Sequence, residues 1–151
     1  HQMVLDLSND EVIDYIITSV NNILDNNNIE YVKWDMNRHI SDVSSIHFHG
    51  GEMYHRYMIG FYRLLKEIIL THPNVYFEGC ASGGNRFDLG MLRYFDQIWT
   101  SDETNPVRRL YIQYGTSYGY PLQIMSSHVS KALCFQAKRT HSRRGIILTS
   151  I

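Results

Sequence analysis

A chain of 151 residues, 44% hydrophobic and 19% charged with a net charge of −1, is long enough for one domain with a real core. No stretch reaches the ~18 uncharged apolar residues of a membrane span, and His1–Ser8 does not resemble a signal peptide. Charge is uneven: residues 1–103 hold all 15 acids against 7 Lys/Arg, and residues 104–151 hold 7 Lys/Arg and no acid.

The elements follow in βα order. Residues 9–22 predict a helix: Val12, Ile16, Val20 and Ile23 share a face, with Ser8 as N-cap and Glu11 three residues on. Residues 29–34 predict a buried strand with Asp35 just past its end. After a polar loop, residues 52–70 predict a second helix, with Tyr57, Phe61, Leu64, Leu65 and Ile68 on one face and a stop at Thr71-His72-Pro73. Residues 74–79 predict the second strand, ending at Cys80 and a glycine-rich turn. A short helix is expected over 87–95 and a third strand over 97–100. Pro106 suits the first turn of a helix running to about Tyr114, and residues 122–125 suggest a fourth strand. Strands alternating with helices indicate a parallel α/β sheet, with polar residues after the strand ends. The pattern alone leaves a barrel and an open doubly wound sheet both standing.

Asp35 and Asp102 each close an apolar strand. Two carboxylates at the ends of nearby parallel strands can face one substrate. Glycoside hydrolysis needs such a pair, one to attack the anomeric carbon and one to protonate the leaving oxygen. Either aspartate alone also reads as a helix cap or a partner for a base. Alternation puts Lys33 on the face of Asp35, where a buried lysine needs a carboxylate or a ligand. It would hold Asp35 ionised or form a structural ion pair. Trp34 and Trp99 are core residues or walls for a sugar ring. Residues 80–86, Cys-Ala-Ser-Gly-Gly-Asn-Arg, match neither a phosphate loop nor a dinucleotide fingerprint. His47, His49 and His55 have no zinc-site spacing and read as loop histidines. Cys80 and Cys134 have no metal spacing either, so a reduced, cytoplasmic state is the default.

Four motifs stand together: residues 31–38, Tyr-Val-Lys-Trp-Asp-Met-Asn-Arg; residues 80–88, Cys-Ala-Ser-Gly-Gly-Asn-Arg-Phe-Asp; residues 97–102, Gln-Ile-Trp-Thr-Ser-Asp; and residues 112–117, Ile-Gln-Tyr-Gly-Thr-Ser. In this order they resemble glycoside hydrolase family 36, the family of bacterial and fungal α-galactosidases and of plant raffinose and stachyose synthases. The resemblance runs from about Val4 to Ser130 and implies part of a (β/α)8 TIM barrel. It implies a retaining α-galactosidase acting on melibiose- or raffinose-type oligosaccharides by double displacement. The alternatives are an inactive barrel fragment and a galactosyl-transferring relative of the raffinose-synthase type.

By the same resemblance, Asp35 is the nucleophile and Asp102 the acid/base, with burial expected to keep Asp102 protonated. Lys33 and Asn37 match residues that bind galactose hydroxyls, and Cys80 and Gly83 match positions near the sugar's 2-hydroxyl. No metal, cofactor, nucleic acid or membrane partner is expected, and the full-length form is expected to be a homo-oligomer. The family commonly reads Ser-Asp-Asp/Asn-Thr-Asp at the third strand end. Here residues 101–105 read Ser-Asp-Glu-Thr-Asn, and the assignment to Asp102 rests on its place directly at the strand end. Residues 1–130 are therefore expected to form a partial barrel that is inactive in isolation. Residues 131–151 form a divergent basic tail, better explained as an out-of-family end than as a nucleic-acid arm.

Overall fold

The computed structural model describes residues 4–41, 44–48, 50–82, 86–103, 105–127, 133–134 and 139–140. They divide into two compact units. The first is His1–Val32 with Arg38–Tyr76, and the second is Lys33–Asn37 with Phe77–Ile151. No helix among the described residues is long and apolar enough to cross a membrane.

The first unit is a helix pair, α1 (Asp10–Asp25) and α2 (Met53–Thr71). The N-cap of α1 is Asn9, whose side chain accepts the Glu11 amide, and not the expected Ser8. Ser8 is engaged instead with Asp6, which also accepts from Ser45 Oγ at 2.8 Å. These bonds hold Asp6 below its ordinary pKa against the opposing effect of its partial burial. The apolar stripe of α2 is buried at Met53, Tyr57, Phe61, Leu64, Leu65 and Ile68, as a 3.6-residue period requires. Gly60 lies in that stripe because nothing larger fits: a Cβ there would sit 1.8 Å from the Leu7 carbonyl oxygen and 2.7 Å from Ile13 Cδ1. On the outside, Arg63 of α2 reaches Asp10 of α1 at 2.8 Å and Glu67 at 2.9 Å.

The second unit carries the sheet. Its strands are β1 (Tyr31–Asp35, of which Lys33–Asp35 belong here), β2 (Tyr76–Cys80), β3 (Gln97–Trp99) and β4 (Met125–Ser126), in the order β1-β2-β3-β4. Glu78 pairs with Gln97 and Gly79 with Ile98, both in parallel register. Ile98 and Trp99 pair with Met125 and Ser126, again in parallel. Phe77, Glu78, Gly79 and Cys80 are all buried, and helix α3 (Pro106–Thr116) follows β3. Asp96 ties β2 to the start of β3, its carboxylate accepting the Phe77 amide at 2.9 Å.

Two expected elements differ. The helix expected over 87–95 is a single 3₁₀ turn at Met91–Arg93. Asp88 Oδ1 accepts from the amides of Gly90 and Met91, and that local turn competes with helix formation. The strand expected over 122–125 is a 3₁₀ turn at Leu122–Ile124 that leads into β4. Of the basic tail, Leu133–Cys134 (β5) and Arg139–Thr140 (β6) pair antiparallel, and the other tail residues lie outside the described set.

Gly60→Ala is expected to destabilise the helix pair by ~1–3 kcal/mol, because the added methyl meets the Leu7 backbone, which can yield only by shifting the segment that leads into α1. A urea midpoint unchanged from the parent would contradict that packing.

Candidate active site at the strand ends

The side chains singled out from sequence gather at the C-terminal ends of β1, β2 and β3. Lys33 and Asp35 alternate with Trp34 along β1, so Trp34 turns to the other side of the strand. Lys33 does not use Asp35 as its carboxylate. Its Nζ lies 3.0 Å from Glu78 Oε1 on the neighbouring strand and 4.4 Å from the centre of the Trp99 ring. Glu78 is 1% exposed, and the ammonium offsets part of the cost of burying its carboxylate. Sequence reasoning passed over Glu78. Its signal was a lone acid inside the apolar run Phe77-Glu78-Gly79-Cys80.

Asp35 is exposed and held at its rim. Asn37 Nδ2 donates to Asp35 Oδ2 at 2.8 Å, and Ser82 Oγ donates to Asn37 Oδ1. Ser82 takes a left-handed backbone (φ 56°) at the start of the turn, and that conformation aims it at Asn37. Cys80 is a free, buried thiol beside the same carboxylate. Burial pushes its pKa up, and the hydrogen bond and negative charge of Asp35 push it further. The Ser82 amide and the Lys33 charge pull the other way. The protonated thiol is thus a donor to Asp35. Arg86 closes the turn from inside, donating to the carbonyls of Cys80 and Trp34. Gly83 lies outside the described residues.

Trp99 is 5% exposed and forms the core of the third strand end. Arg109 of α3 lies over the same ring at 4.3 Å and donates to Thr100 Oγ1 and the Ser101 carbonyl. Burial lowers the Arg109 pKa, and the charges of Asp102 and Glu103 oppose that. Arg109 was not anticipated; it stands at helical distance behind the motif, inside a sequence of unremarkable basic residues.

Asp102 is exposed at the end of β3. Its Oδ1 accepts from Trp99 Nε1 at 2.8 Å. Three residues on, Asn105 caps α3: Oδ1 accepts the amides of Val107 and Arg108 at 3.0 and 3.3 Å. No group of His, Cys, Asp and Glu among the described residues could hold a metal ion.

A family profile described as Melibiase matches residues 1–147. The chain belongs to that family. It is 48% identical over 145 residues to alpha-galactosidase AgaA of Geobacillus stearothermophilus, an alignment covering 94% of this chain and 20% of that protein. It is also 48% identical over 133 residues to alpha-galactosidase Mel36A of Lactobacillus acidophilus, covering 86% of this chain and 18% of that protein.

Melibiase structures match the fold as well. The crystal structure of AgaA, described as a family GH36 enzyme, superposes with a TM-score of 0.86 over 94% of this chain and 20% of that one. The α-galactosidase of Lactobacillus brevis does so with a TM-score of 0.89 at 42% identity, over 99% of this chain and 21% of that one. The present sheet is thus a parallel α/β segment of the GH36 catalytic domain, spanning about a fifth of the length of these relatives. Two further AgaA structures hold stachyose and raffinose. The first carries an Asp→Ala substitution and the second an Asp→Asn substitution, and the two altered aspartates stand 70 residues apart (548 − 478).

Glu78→Gln is expected to cost ~1–3 kcal/mol, because it leaves the Lys33 ammonium without its carboxylate, and partial exposure of Lys33 softens the loss. The same substitution frees the ammonium from its place over the indole, so Trp99 fluorescence shifts. Unchanged stability together with an unchanged emission spectrum would argue against the triad.

Proposed function

We propose that this chain supplies the nucleophile side of a retaining α-galactosidase site that takes raffinose-type oligosaccharides. The observation that carries the reading is the setting of Asp35. Asn37 fixes one carboxylate oxygen, the Cys80 thiol donates to the same carboxylate, and the group opens to solvent at the strand end. A nucleophile needs that combination of fixed orientation and open approach.

In the reaction, an Asp35 oxygen bonds to the anomeric carbon as the glycosidic C–O bond breaks, and its electron pair leaves with the departing oxygen. The departing oxygen takes a proton from Asp102; water then attacks the same carbon, gives a proton back to Asp102, and the ester bond breaks with its electrons returning to Asp35. The Lys33 ammonium, steadied by the buried Glu78 and backed by the Trp99 ring, offers donors to ring hydroxyls. AgaA complexes with stachyose and raffinose support this substrate class.

Asp102, expected to be the acid/base, has one oxygen committed to the Trp99 indole. That bond orients the carboxyl group and leaves its second oxygen, open to solvent at the strand end, to serve as the acid/base. We also assign the protein to the reducing cytoplasm, an assignment supported by the free Cys80 thiol.

In the complete protein that carries this sequence, Asp35→Ala is expected to reduce p-nitrophenyl α-galactoside turnover by ~1000-fold or more. Azide restores part of that rate by taking the place of the carboxylate, and the product is the β-galactosyl azide. A variant retaining a tenth of the parent rate would overturn the assignment of the nucleophile.

A further inference from the structure

We infer that Arg109 is a positioning residue for the acid/base: it grips the short link between Trp99 and Asp102 and so fixes where the free carboxyl oxygen meets the departing sugar oxygen. The inference rests on the α-galactosidase reading and adds to it a residue buried behind the strand ends.

The sequence sets the place of Arg109. Asn105 caps α3 and Pro106 stands in its first turn, so the helix opens just after Asp102. The Arg109 amide donates to the Asn105 carbonyl at 2.9 Å, which puts Arg109 one turn in. Long helical side chains lean back toward the helix start, and this one reaches the end of β3. There it meets each residue of the link in turn. The guanidinium carbon lies 4.3 Å from the centre of the Trp99 ring. Nη1 donates to Thr100 Oγ1 at 3.1 Å and to the Ser101 carbonyl at 2.6 Å. Nη2 reaches the Ser126 carbonyl of β4 at 3.5 Å. The link then closes on itself, because Trp99 Nε1 donates to Asp102 Oδ1 at 2.8 Å.

Packing alone does not call for this arginine. Arg109 is 8% exposed, and among the described residues no carboxylate forms an ion pair with it. A buried ion is a weak stabiliser, and an apolar side chain of similar length would fill the space as well. An apolar side chain lacks the planar fork that can hold a hydroxyl and two carbonyls at once. Arg108, the next residue back, shows the contrast: its side chain is 73% exposed and pairs with Glu103 at 3.3 Å. Glu103 Oε1 also accepts the Asn105 amide at 2.9 Å. Asp102 is therefore tied to the helix cap on one side and to the Arg109 fork on the other.

The position of Asp102 matters unequally for different leaving groups. When Asp35 bonds to the anomeric carbon of raffinose, the departing sugar oxygen takes the electron pair and must receive a proton from Asp102. With p-nitrophenyl α-galactoside the phenolate leaves with its electron pair and needs no proton. A displaced Asp102 slows the first reaction far more than the second, whereas a loosened fold slows both alike.

The test compares kcat/KM for the two substrates in the complete protein and in its Arg109→Met, Arg109→Lys and Thr100→Val variants. Arg109→Met is expected to lower the raffinose value ~100-fold, the effect of misplacing a reacting group by ~1 Å, and the aryl value by no more than ~10-fold. Arg109→Lys keeps the charge without the fork and should lower the raffinose-to-aryl ratio ~10-fold. Thr100→Val removes one anchor with almost no change of shape and should lower that ratio ~3-fold. In Arg109→Met, azide should accelerate aryl turnover and yield the α-galactosyl azide, because an anion displaces Asp35 without losing a proton and water does not.

Equal losses for both substrates in Arg109→Lys and Thr100→Val would make Arg109 a fold-stabilising residue only and overturn the inference. Unchanged raffinose turnover in Arg109→Met would overturn it as well. Should Arg109→Met fail to fold, the other two variants decide by the same ratio. If the parent cleaves neither substrate, the α-galactosidase reading fails and takes this inference with it. In every other outcome the parent is active, so the two failures are told apart.

Discussion

The candidate site depends on how a lysine is accommodated among apolar strands. Lys33 projects from β1 toward Glu78 of β2, and both lie against Trp99 of β3. A carboxylate with 1% exposure would cost several kcal/mol if left alone, whereas Lys33 keeps part of its side chain in solvent. Pairing across strands offsets much of the carboxylate's cost, and the indole face adds a further contact for the ammonium. Arg109 repeats the arrangement from α3, so the same ring carries two cations. Three adjacent strand ends are thereby held in one register by charge as well as by backbone bonds.

That arrangement explains what the sequence could and could not disclose. The βα order was readable because apolar periodicity and stop signals are local. The stripe of α2, the break at His72 and Pro73, and Pro106 at the start of α3 all followed from neighbours within a few residues. The failures were local too. Asp88 diverted its own segment into a turn, and Asn9 took the cap that Ser8 would have supplied had Asp6 and Ser45 not engaged it. Alternation correctly put Lys33 and Asp35 on one side of β1. It could not say that the lysine's partner would come from 45 residues further on, because cross-strand pairing depends on register, which no single strand encodes.

Gly79 lies between Glu78 and Cys80, and a Cβ there would lie 2.7 Å from the Phe95 ring. The middle of β2 is therefore closed to variation. Any side chain added at this position would press on the Phe95 ring and strain the strand that carries Glu78 and Cys80. Descendants of this sequence that acquire a new sugar preference must do so through the loops beyond the strand ends, where insertions leave the sheet untouched. The rigid strand confines evolutionary exploration to the rim.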